Sequence, residues 1–255
     1  MEWARKRGKG LLLLLLLSLV LTGCVGGKQS TPSISTAEEA PVDSLKAKFS
    51  ITLFTQDGKS QDLDAVLFSV PNKRYRMELT GALGVGVASL LWLEEGWQMV
   101  FPTEKMYMKG AGYMVGLFND PSLPLVHIHQ VAALFDGHVL PAKFEVQSTH
   151  DSLAMKFYDI RDAAGRYYTY AEKNGEVVWL ESQGRDGLKE KLVVQEYKEF
   201  NGVKTPSKIA FVRDGTIFLE IHVKKIHRGK SFGSGTWRLN IPRSYTRMGG
   251  TVSNF

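Results

Sequence analysis

The chain has 255 residues, 44% of them hydrophobic and 23% charged, which is sufficient to bury a substantial core. Half of the formal net charge of +6 lies in residues 1–23 and the rest is spread along the chain, so no concentrated positive surface for nucleic acid is expected. The single cysteine, Cys24, excludes an internal disulfide.

The N-terminus has the pattern of an export signal. Basic residues between Arg5 and Lys9 precede an almost purely apolar run from Leu11 to Leu21. That run is too short to cross the ~30 Å hydrocarbon core, which requires about 20 helical residues. A buried core helix is the alternative, but consecutive leucines leave it no polar face. The sequence therefore predicts a signal peptide over residues 1–23.

The end of this run, Leu21-Thr22-Gly23-Cys24, resembles the bacterial lipobox. The resemblance implies that the Cys24 sulfur carries a diacylglyceryl group, that the signal is cut before Cys24, and that the new N-terminus is acylated, for example with palmitate. Because each buried methylene contributes roughly 0.8 kcal/mol, two or more chains would hold the protein in a membrane permanently. A plain signal peptide with an incidental cysteine is the alternative.

Residues 25–43, VGGKQSTPSISTAEEAPVD, are small and polar, with two prolines and no apolar period. This composition predicts a flexible tether. The expected organisation is a signal peptide over 1–23, a tether over 24–43 beginning with the lipidated cysteine, and a folded β domain over 44–255.

From Leu45 onward, apolar and polar residues alternate with a period of two, which is typical of β-strands with one solvated face. The alternation predicts shared faces for Phe49, Ile51 and Leu53; for Tyr75, Met77 and Leu79; for Leu153, Met155 and Phe157; and for Ile217, Leu219, Ile221 and Val223. Turn pairs such as Asn174-Gly175 and Asn201-Gly202 separate the runs. We expect about eleven strands, joined mostly as hairpins in a large antiparallel sheet.

One mid-chain region has helical spacing instead. Leu125, Ile128, Ala132 and Phe135 fall on one stripe, Pro124 suits a first helical turn, and Gly137 suits the C-terminal cap. A shorter helical turn is predicted over 113–118. The expected fold is mainly β, a curved antiparallel sheet whose apolar face is covered by a helical lid around a hydrophobic interior.

The sequence lacks the patterns of an enzyme or a metal site. His127 and His129 are two apart on the predicted helix and would point to different sides, so they cannot jointly bind a metal. There is no cysteine and histidine set with zinc spacing and no Gly-x-Ser-x-Gly motif. We expect no catalytic residue, no metal and no cofactor.

Methionine and aromatic residues are the candidate lining of the interior. Methionine is unbranched and polarizable, so it adapts to variable apolar shapes, although ordinary core filling explains any one of them. The candidate lining residues are Met77, Trp92, Met106, Met108, Met114, Leu125, Ile128 and Phe135.

Three segments occur in the order RYRMELTGALGVGVASLLWL from Arg74, the helical segment YMVGLFNDPSLPLVHIHQVAALFDG from Tyr113, and TPSKIAFVRDGTIFLEIHVKKI from Thr205. In this order they resemble the LolB family of outer-membrane lipoprotein receptors, within the LolA/LolB superfamily. The resemblance covers most of residues 45–227. The tail from Arg228 to Phe255 extends past the family's usual end, and FGSGTWRLNIP within it looks more like the end of LolA.

The resemblance implies an unclosed β-barrel with a helical lid and an interior that holds acyl chains. A periplasmic LolA-like carrier would deliver acylated lipoproteins, and this protein would help insert them into the outer membrane by graded burial of hydrocarbon. Leu83 matches the family's exposed, membrane-inserting leucine. A leucine folded back to cover the sheet edge is the alternative, because Gly81, Gly84 and Gly86 permit either arrangement.

Val25, after the anchor cysteine, favours the outer membrane, facing the periplasm, because an acidic residue there retains lipoproteins at the inner membrane in enteric systems. The expected partners are thus acylated lipoproteins, the carrier and the bilayer, with no nucleic acid. A second hypothesis is an envelope lipoprotein that uses the same fold without transferring lipid, for protein interaction or for binding another amphiphile.

Overall fold

The computed structural model describes residues 44–55, 57–112, 126–183 and 187–248. These residues form one large sheet and one α-helix, α1 (Ile128–Phe135). The strands are β1 Leu45–Phe54, β2 Ser60–Val70, β3 Arg74–Thr80, β4 Gly86–Leu93, β5 Gly96–Phe101, β6 Met106–Gly110, β7 Phe144–Ser152, β8 Met155–Asp162, β9 Tyr167–Lys173, β10 Glu176–Gln183, β11 Lys189–Phe200, β12 Val203–Arg213, β13 Thr216–Arg228 and β14 Thr246–Arg247.

The sheet is a meander whose first strand, β1, lies in the interior of the strand order. Its spatial order is β14-β6-β5-β4-β3-β2-β1-β13-β12-β11-β10-β9-β8-β7. The chain therefore runs outward from β1 to β6, passes through α1 to β7 at the opposite edge, and returns by hairpins to β13 beside β1. Because β7 and β14 lie at opposite edges and do not pair, the curved sheet stays unclosed, as predicted.

Every hairpin reverses the chain, so the loops collect at two ends of the sheet. The β1–β2, β3–β4, β10–β11 and β12–β13 connections lie at one end, which we call the Leu83 end. The β2–β3, β7–β8, β9–β10 and β11–β12 connections lie at the other, the Ser44 end, where β1 begins.

The predicted alternation determines which face of the sheet is buried. We call the face of the sheet that α1 covers the inner face. Phe49, Ile51 and Leu53 on β1 are buried on this face, between β2 and β13. The apolar residues predicted to share a face on β3, and those on β13 from Leu219 onward, are buried in the same way. Residues between these buried positions point to the outer face, so the sheet has one dry and one wet side over its central strands.

The end of α1 is fixed by a glycine, as predicted. Gly137 has φ +87 and donates its backbone N–H to Leu134 O, while His138 N–H bonds to Ala133 O. A Cβ at Gly137 would lie 2.9 Å from the carbonyl oxygen of Lys204. Only glycine therefore allows the chain to leave the helix in this conformation so close to β12.

The C-terminal tail, left unexplained by the sequence, crosses the outer face. Trp237 is buried there in a small cluster with Val70 and Leu91, and the Arg74 guanidinium lies 4.6 Å from its ring centroid. One Arg76 nitrogen, Nη1, donates to three tail carbonyls, those of Gly235, Thr236 and Arg238. The two arginines of the Arg-Tyr-Arg strand therefore bind the tail.

The tail ends against the edge of the sheet. Thr246 N–H donates to Lys105 O at 2.9 Å and Met248 N–H to Tyr107 O at 2.8 Å, so β14 pairs with β6 in parallel. This pair is the exception to the predicted antiparallel arrangement. Among the described residues, no helix combines the length and apolar character needed to span a membrane.

Three sequence predictions are corrected. The described residues contain fourteen strands rather than about eleven. Leu153, Met155 and Phe157 do not form a buried face. Leu153 lies in the β7–β8 turn at φ 51 and is exposed, and Met155 and Phe157 are half-buried on the face of β8 opposite to buried Ile160. Ile217 is partly exposed because the register shifts between Phe211 and Val212, so that Ile217 is opposite Val212 and does not continue the buried face of Leu219 and Ile221.

Candidate functional site

The structure brings five of the candidate lining residues together on the inner face. Met77, Trp92, Met108, Ile128 and Phe135 are all buried in one apolar cluster that joins α1 to the central strands. These side chains come from β3, β4, β6 and α1, which are far apart in sequence. The inner face is therefore one continuous apolar surface with the helix packed onto it.

The remaining candidates lie at the edge or outside the described residues. Met106 is half-buried at the start of β6, where it is the register partner of Thr246 on β14. Cys24, Met114 and Leu125 lie outside the described residues, as do Pro124 and the helical turn predicted over 113–118.

α1 packs directly onto the inner face through its apolar stripe. The Phe135 ring meets the Phe49 ring edge-on, with centroids 4.8 Å apart, and both residues are fully buried. Val131 and Leu134 are buried beside them. The side chains of the helix therefore occupy the part of the inner face nearest to β1, so a ligand could use this surface only after α1 moves.

His129 is part of this packing, which the sequence did not predict. Its ring lies between Tyr75 and Trp92, with centroid distances of 4.5 Å and 4.6 Å, both edge-on. Burial, followed by the charge of His127, lowers the pKa of His129 to about 4. His129 is therefore neutral at ordinary pH. His127 precedes α1 rather than lying on it as predicted, since the helix begins at Ile128.

Arg228 holds the C-terminal end of α1. Its Nη1 is bonded to the Asp136 carboxylate, and its Nη2 donates to the Phe135 carbonyl oxygen. A cation bonded to the last carbonyls of a helix complements the negative end of its dipole. The lid is thus attached to the sheet at one end by this ion pair and toward the other by the aromatic contacts of His129.

Leu83 lies on the β3–β4 connection, in a 3₁₀ turn at Ala82–Gly84. It is fully exposed and its φ is 58, in the left-handed region that non-glycine residues rarely adopt. Gly81 N–H bonds to Val85 O at 2.8 Å and Gly84 N–H to Gly81 O, which closes the loop beneath the side chain. Of the two arrangements considered for Leu83, the structure has the exposed one.

Leu83 belongs to a larger group of exposed apolar residues at one end of the sheet. Among the described residues, Leu153 is the one exposed large apolar side chain that lies at the Ser44 end. The others form what we call the apolar rim, at the Leu83 end: Leu83, Val85, Phe144, Val146, Tyr167, Leu188 and Ile217. A concentration of exposed apolar side chains at one end indicates a surface for contact with a partner or a membrane.

The sequence missed the roles of His129 and Arg228. A histidine on a helix carries no apolar signal, and Arg228 stands at the start of a tail that has no recognisable pattern. A helical projection placing His129 beside Ile128 and Ala132 could have indicated burial. The described residues contain no group of three or more side chains arranged to bind a metal ion.

No protein family and no curated protein matches the sequence. Several solved structures share the fold. A LolA superfamily protein from Nitrosomonas europaea superposes with a TM-score of 0.56 at 10% identity, covering 80% of this chain and 94% of that one. A DUF1329 family protein from Desulfovibrio piger gives a TM-score of 0.55 at 8% identity, with coverages of 77% and 90%.

A third structure, described as an outer membrane lipoprotein-sorting protein domain from Vibrio parahaemolyticus, gives a TM-score of 0.50 at 9% identity. It covers 78% of this chain and 91% of that chain. The architecture predicted from the sequence, a curved unclosed sheet with a helix on its inner face, is therefore confirmed as the fold found in LolA superfamily proteins.

Proposed function

We propose that this protein is a lipid-anchored envelope protein that binds the acyl chains of lipoproteins on its inner face and passes them to the outer membrane at the apolar rim. The anchor would be Cys24 and the protein would face the periplasm. Support comes from a fold shared with LolA superfamily and lipoprotein-sorting structures, a continuous apolar inner face, and exposed apolar residues concentrated at one end.

Binding would proceed by exchange. An acyl chain can cover the inner face only in place of the α1 side chains that cover it now, of which Phe135 against Phe49 is the largest. Each methylene buried contributes about 0.8 kcal/mol, while uncovering the helix face loses a comparable apolar area. Because the two terms oppose each other, the net gain would be smaller than that of burying the acyl chain alone, which favours the reversible binding that a protein passing its cargo onward requires.

Release would take place at the apolar rim. Transfer of one leucine side chain from water to hydrocarbon contributes about 1.5–3 kcal/mol, and Leu83 has no contact to lose because it is fully exposed. The closed loop beneath it keeps the side chain directed outward. Leu83 would enter the bilayer and bring the end of the sheet to the membrane surface.

The observation that carries this proposal is the exposure of Leu83 on a loop of fixed backbone, at the end where the apolar rim lies. The partners proposed are acylated lipoproteins, a LolA-like periplasmic carrier and the bilayer. No step requires bond making or breaking by this protein, so the proposal includes no catalysis.

The test is Leu83→Glu in a reconstituted transfer assay, in which a loaded carrier delivers a lipoprotein to vesicles bearing this protein. We expect insertion to fall at least about tenfold, because a buried carboxylate replaces about 1.5–3 kcal/mol of apolar burial with a desolvation penalty. Unfolding curves should not change, since Leu83 packs against nothing.

Leu153→Glu is the matched control. Leu153 is also an exposed leucine in a left-handed turn, with φ 51, but it lies at the Ser44 end. We expect it to transfer normally. An equal loss of lipoprotein insertion in both variants, or no loss of insertion in Leu83→Glu, would contradict insertion at the rim.

Native mass spectrometry of the chain from residue 24 with Cys24→Ala distinguishes acyl-chain binding from the second hypothesis, an envelope lipoprotein that does not transfer lipid. A co-purifying acyl ligand, lost when Phe135→Trp fills the inner face further, would support acyl binding. A domain that never retains such a ligand would favour an interaction protein that uses the same fold.

A further inference from the structure

Basic residues form a ladder on the outer face of the two central strands, at the Ser44 end. Lys46 and Lys48 lie on β1, Lys225 and His227 lie on β13, and Lys230 follows. In the register, Lys46 is opposite His227 and Lys48 is opposite Lys225. We call these five residues the basic ladder.

This pairing is unfavourable for the sheet itself. Directly opposed side chains in an antiparallel pair have Cβ atoms about 4.5–5.5 Å apart, and like charges in such positions are destabilising. Lys48 and Lys225 are both exposed and directly opposed. An arrangement that weakens the two central strands of the sheet is therefore better explained by binding than by folding.

A β-bulge places two lysines side by side on β13. The register shifts between Lys48 and Phe49, so that Lys224 is the extra residue on β13. Lys224 and Lys225 are consequently both exposed, while Val223 and Ile226 on either side are buried. Bulges commonly redirect side chains in this way.

Neighbouring carboxylates do not neutralise the ladder. Asp64 is bonded to Lys224, which leaves it occupied. Glu78, farther across the outer face, accepts hydrogen bonds from Arg76 Nε and Ser89 Oγ. Desolvation and then the charges of Lys225, Lys230, Lys46 and Lys48 lower the pKa of His227. The lysines are therefore close enough to one another to act as one positive surface.

The ladder lies where the chain leaves the sheet toward Cys24. Ser44 Oγ donates to the Lys230 carbonyl oxygen at 2.7 Å, and Gly229 N–H donates to Ser44 O at 2.8 Å. Twenty residues, 24–43, separate this point from the proposed anchor. The tether that the sequence predicts for these residues would have a root-mean-square span of about 25 Å, which would keep the ladder close to the bilayer.

We propose that the basic ladder binds the anionic phospholipid headgroups of the membrane to which the protein is anchored. This inference rests on the lipid anchor of the proposed function. Lysine ammonium groups bind phosphate as point charges, and clusters of them are attracted to anionic membrane surfaces. Cores of protein interfaces are rich in aromatic and apolar residues, whereas the exposed large apolar residues lie away from the ladder. A membrane surface is therefore favoured over an acidic protein.

The ladder and the apolar rim would serve different steps. They lie at opposite ends of strands that span about 33 Å for ten residues. The tether can extend to about 70 Å, which is long enough for either end to reach the bilayer. The protein would rest on the ladder and turn over to deliver cargo through Leu83.

The test measures partition of the chain from residue 24 with Cys24→Ala into vesicles of phosphatidylcholine, with and without phosphatidylglycerol. This chain keeps every described contact, since all of them lie between Ser44 and Met248. Lys48→Glu with Lys225→Glu should weaken binding to the anionic vesicles by about tenfold or more, and rising salt should remove the difference.

Lys156→Glu with Lys173→Glu is the matched control, since it reverses two exposed lysines on β8 and β9 and changes the net charge equally. Equal weakening by both pairs, or equal binding to neutral and anionic vesicles, would overturn the inference. So would ladder-dependent binding to a polyglutamate peptide without binding to anionic vesicles, which would indicate an acidic protein partner. Failure of lipoprotein transfer with ladder-dependent vesicle binding intact would overturn the proposed function alone.

Discussion

The two parts of the sheet differ in what covers them. The covered region, β1–β6 with β11–β13, has α1 on its inner face and the C-terminal tail on part of its outer face. The wing, β7–β10, has a small cluster built on Ile160, Tyr170 and Leu180, and every residue of β7 is exposed. One continuous sheet therefore combines a well-packed body with a thin, solvated extension.

This difference indicates where stability resides. Buried apolar area supplies most of the free energy of folding, so the covered region should determine whether the sheet forms. The wing has fewer buried side chains and depends on its strand pairing, and regions of that kind open at lower free energy.

The largest expected effect is a difference in the loss of stability between two phenylalanine variants. Phe135→Ala, under α1, should lower the free energy of unfolding by about 3–5 kcal/mol, because it removes a fully buried ring that packs on Phe49. Phe157→Ala, in the wing, should lower it by about 1 kcal/mol, since Phe157 is half-buried and stacks on exposed His150. Urea unfolding measures both, and equal losses would show that the two parts contribute alike.

The next effect depends on pH. Because the pKa of His129 is lowered from 6.5 to about 4 in the folded chain, the unfolded chain binds more protons between these values. Stability should therefore be unaffected by this group above pH 6.5 and should fall as the pH drops toward 4, by about 1–2 kcal/mol after allowance for partial exposure.

His129→Phe should remove that slope while keeping a ring between Tyr75 and Trp92. His222→Phe, on the exposed face of β13, should leave it unchanged. Unfolding curves of the two variants, measured from pH 7 to pH 4, test this expectation. A slope that persists in His129→Phe would show that another titrating group carries it.

The smallest effect concerns the turn at the tip of the wing. Leu153 and Ala154 both have left-handed backbones, with φ of 51 and 59, where Asn-Gly is the preferred pair. Leu153→Asn with Ala154→Gly should stabilise the protein by about 1 kcal/mol by relieving this conformation. The melting temperature measures the change. A lower melting temperature would show that the Leu153 side chain makes contacts that matter to the fold.

The comparison also shows how far the sequence can be interpreted. Alternation predicted the buried faces of the covered region because one face there is dry, as Phe49, Ile51 and Leu53 illustrate. The same pattern failed at Leu153, where the turn lacks the glycine or asparagine that normally identifies it. β7, with sequence FEVQSTHDS, is exposed throughout and therefore has little apolar signal.

Contacts between residues far apart in sequence could not be predicted. Arg228 meets Asp136 across 92 positions, and Arg76 meets the tail across about 160, and neither pair has a local pattern. The exposure of Leu83 also depended on the backbone, since Gly81 and Gly84 permitted both arrangements considered. The membrane roles of Leu83 and Cys24 remain predictions.

The short parallel strand of the tail makes the two borders of the sheet unequal. By accepting Thr246 and Met248, β6 gives up backbone groups that an incoming strand would need. Within the described residues the opposite border, β7, is longer and lies at the end of the strand order. Of the two described borders, β7 therefore offers the longer edge to an incoming strand, and a β7-to-β7 pairing of two molecules would close on itself as a dimer.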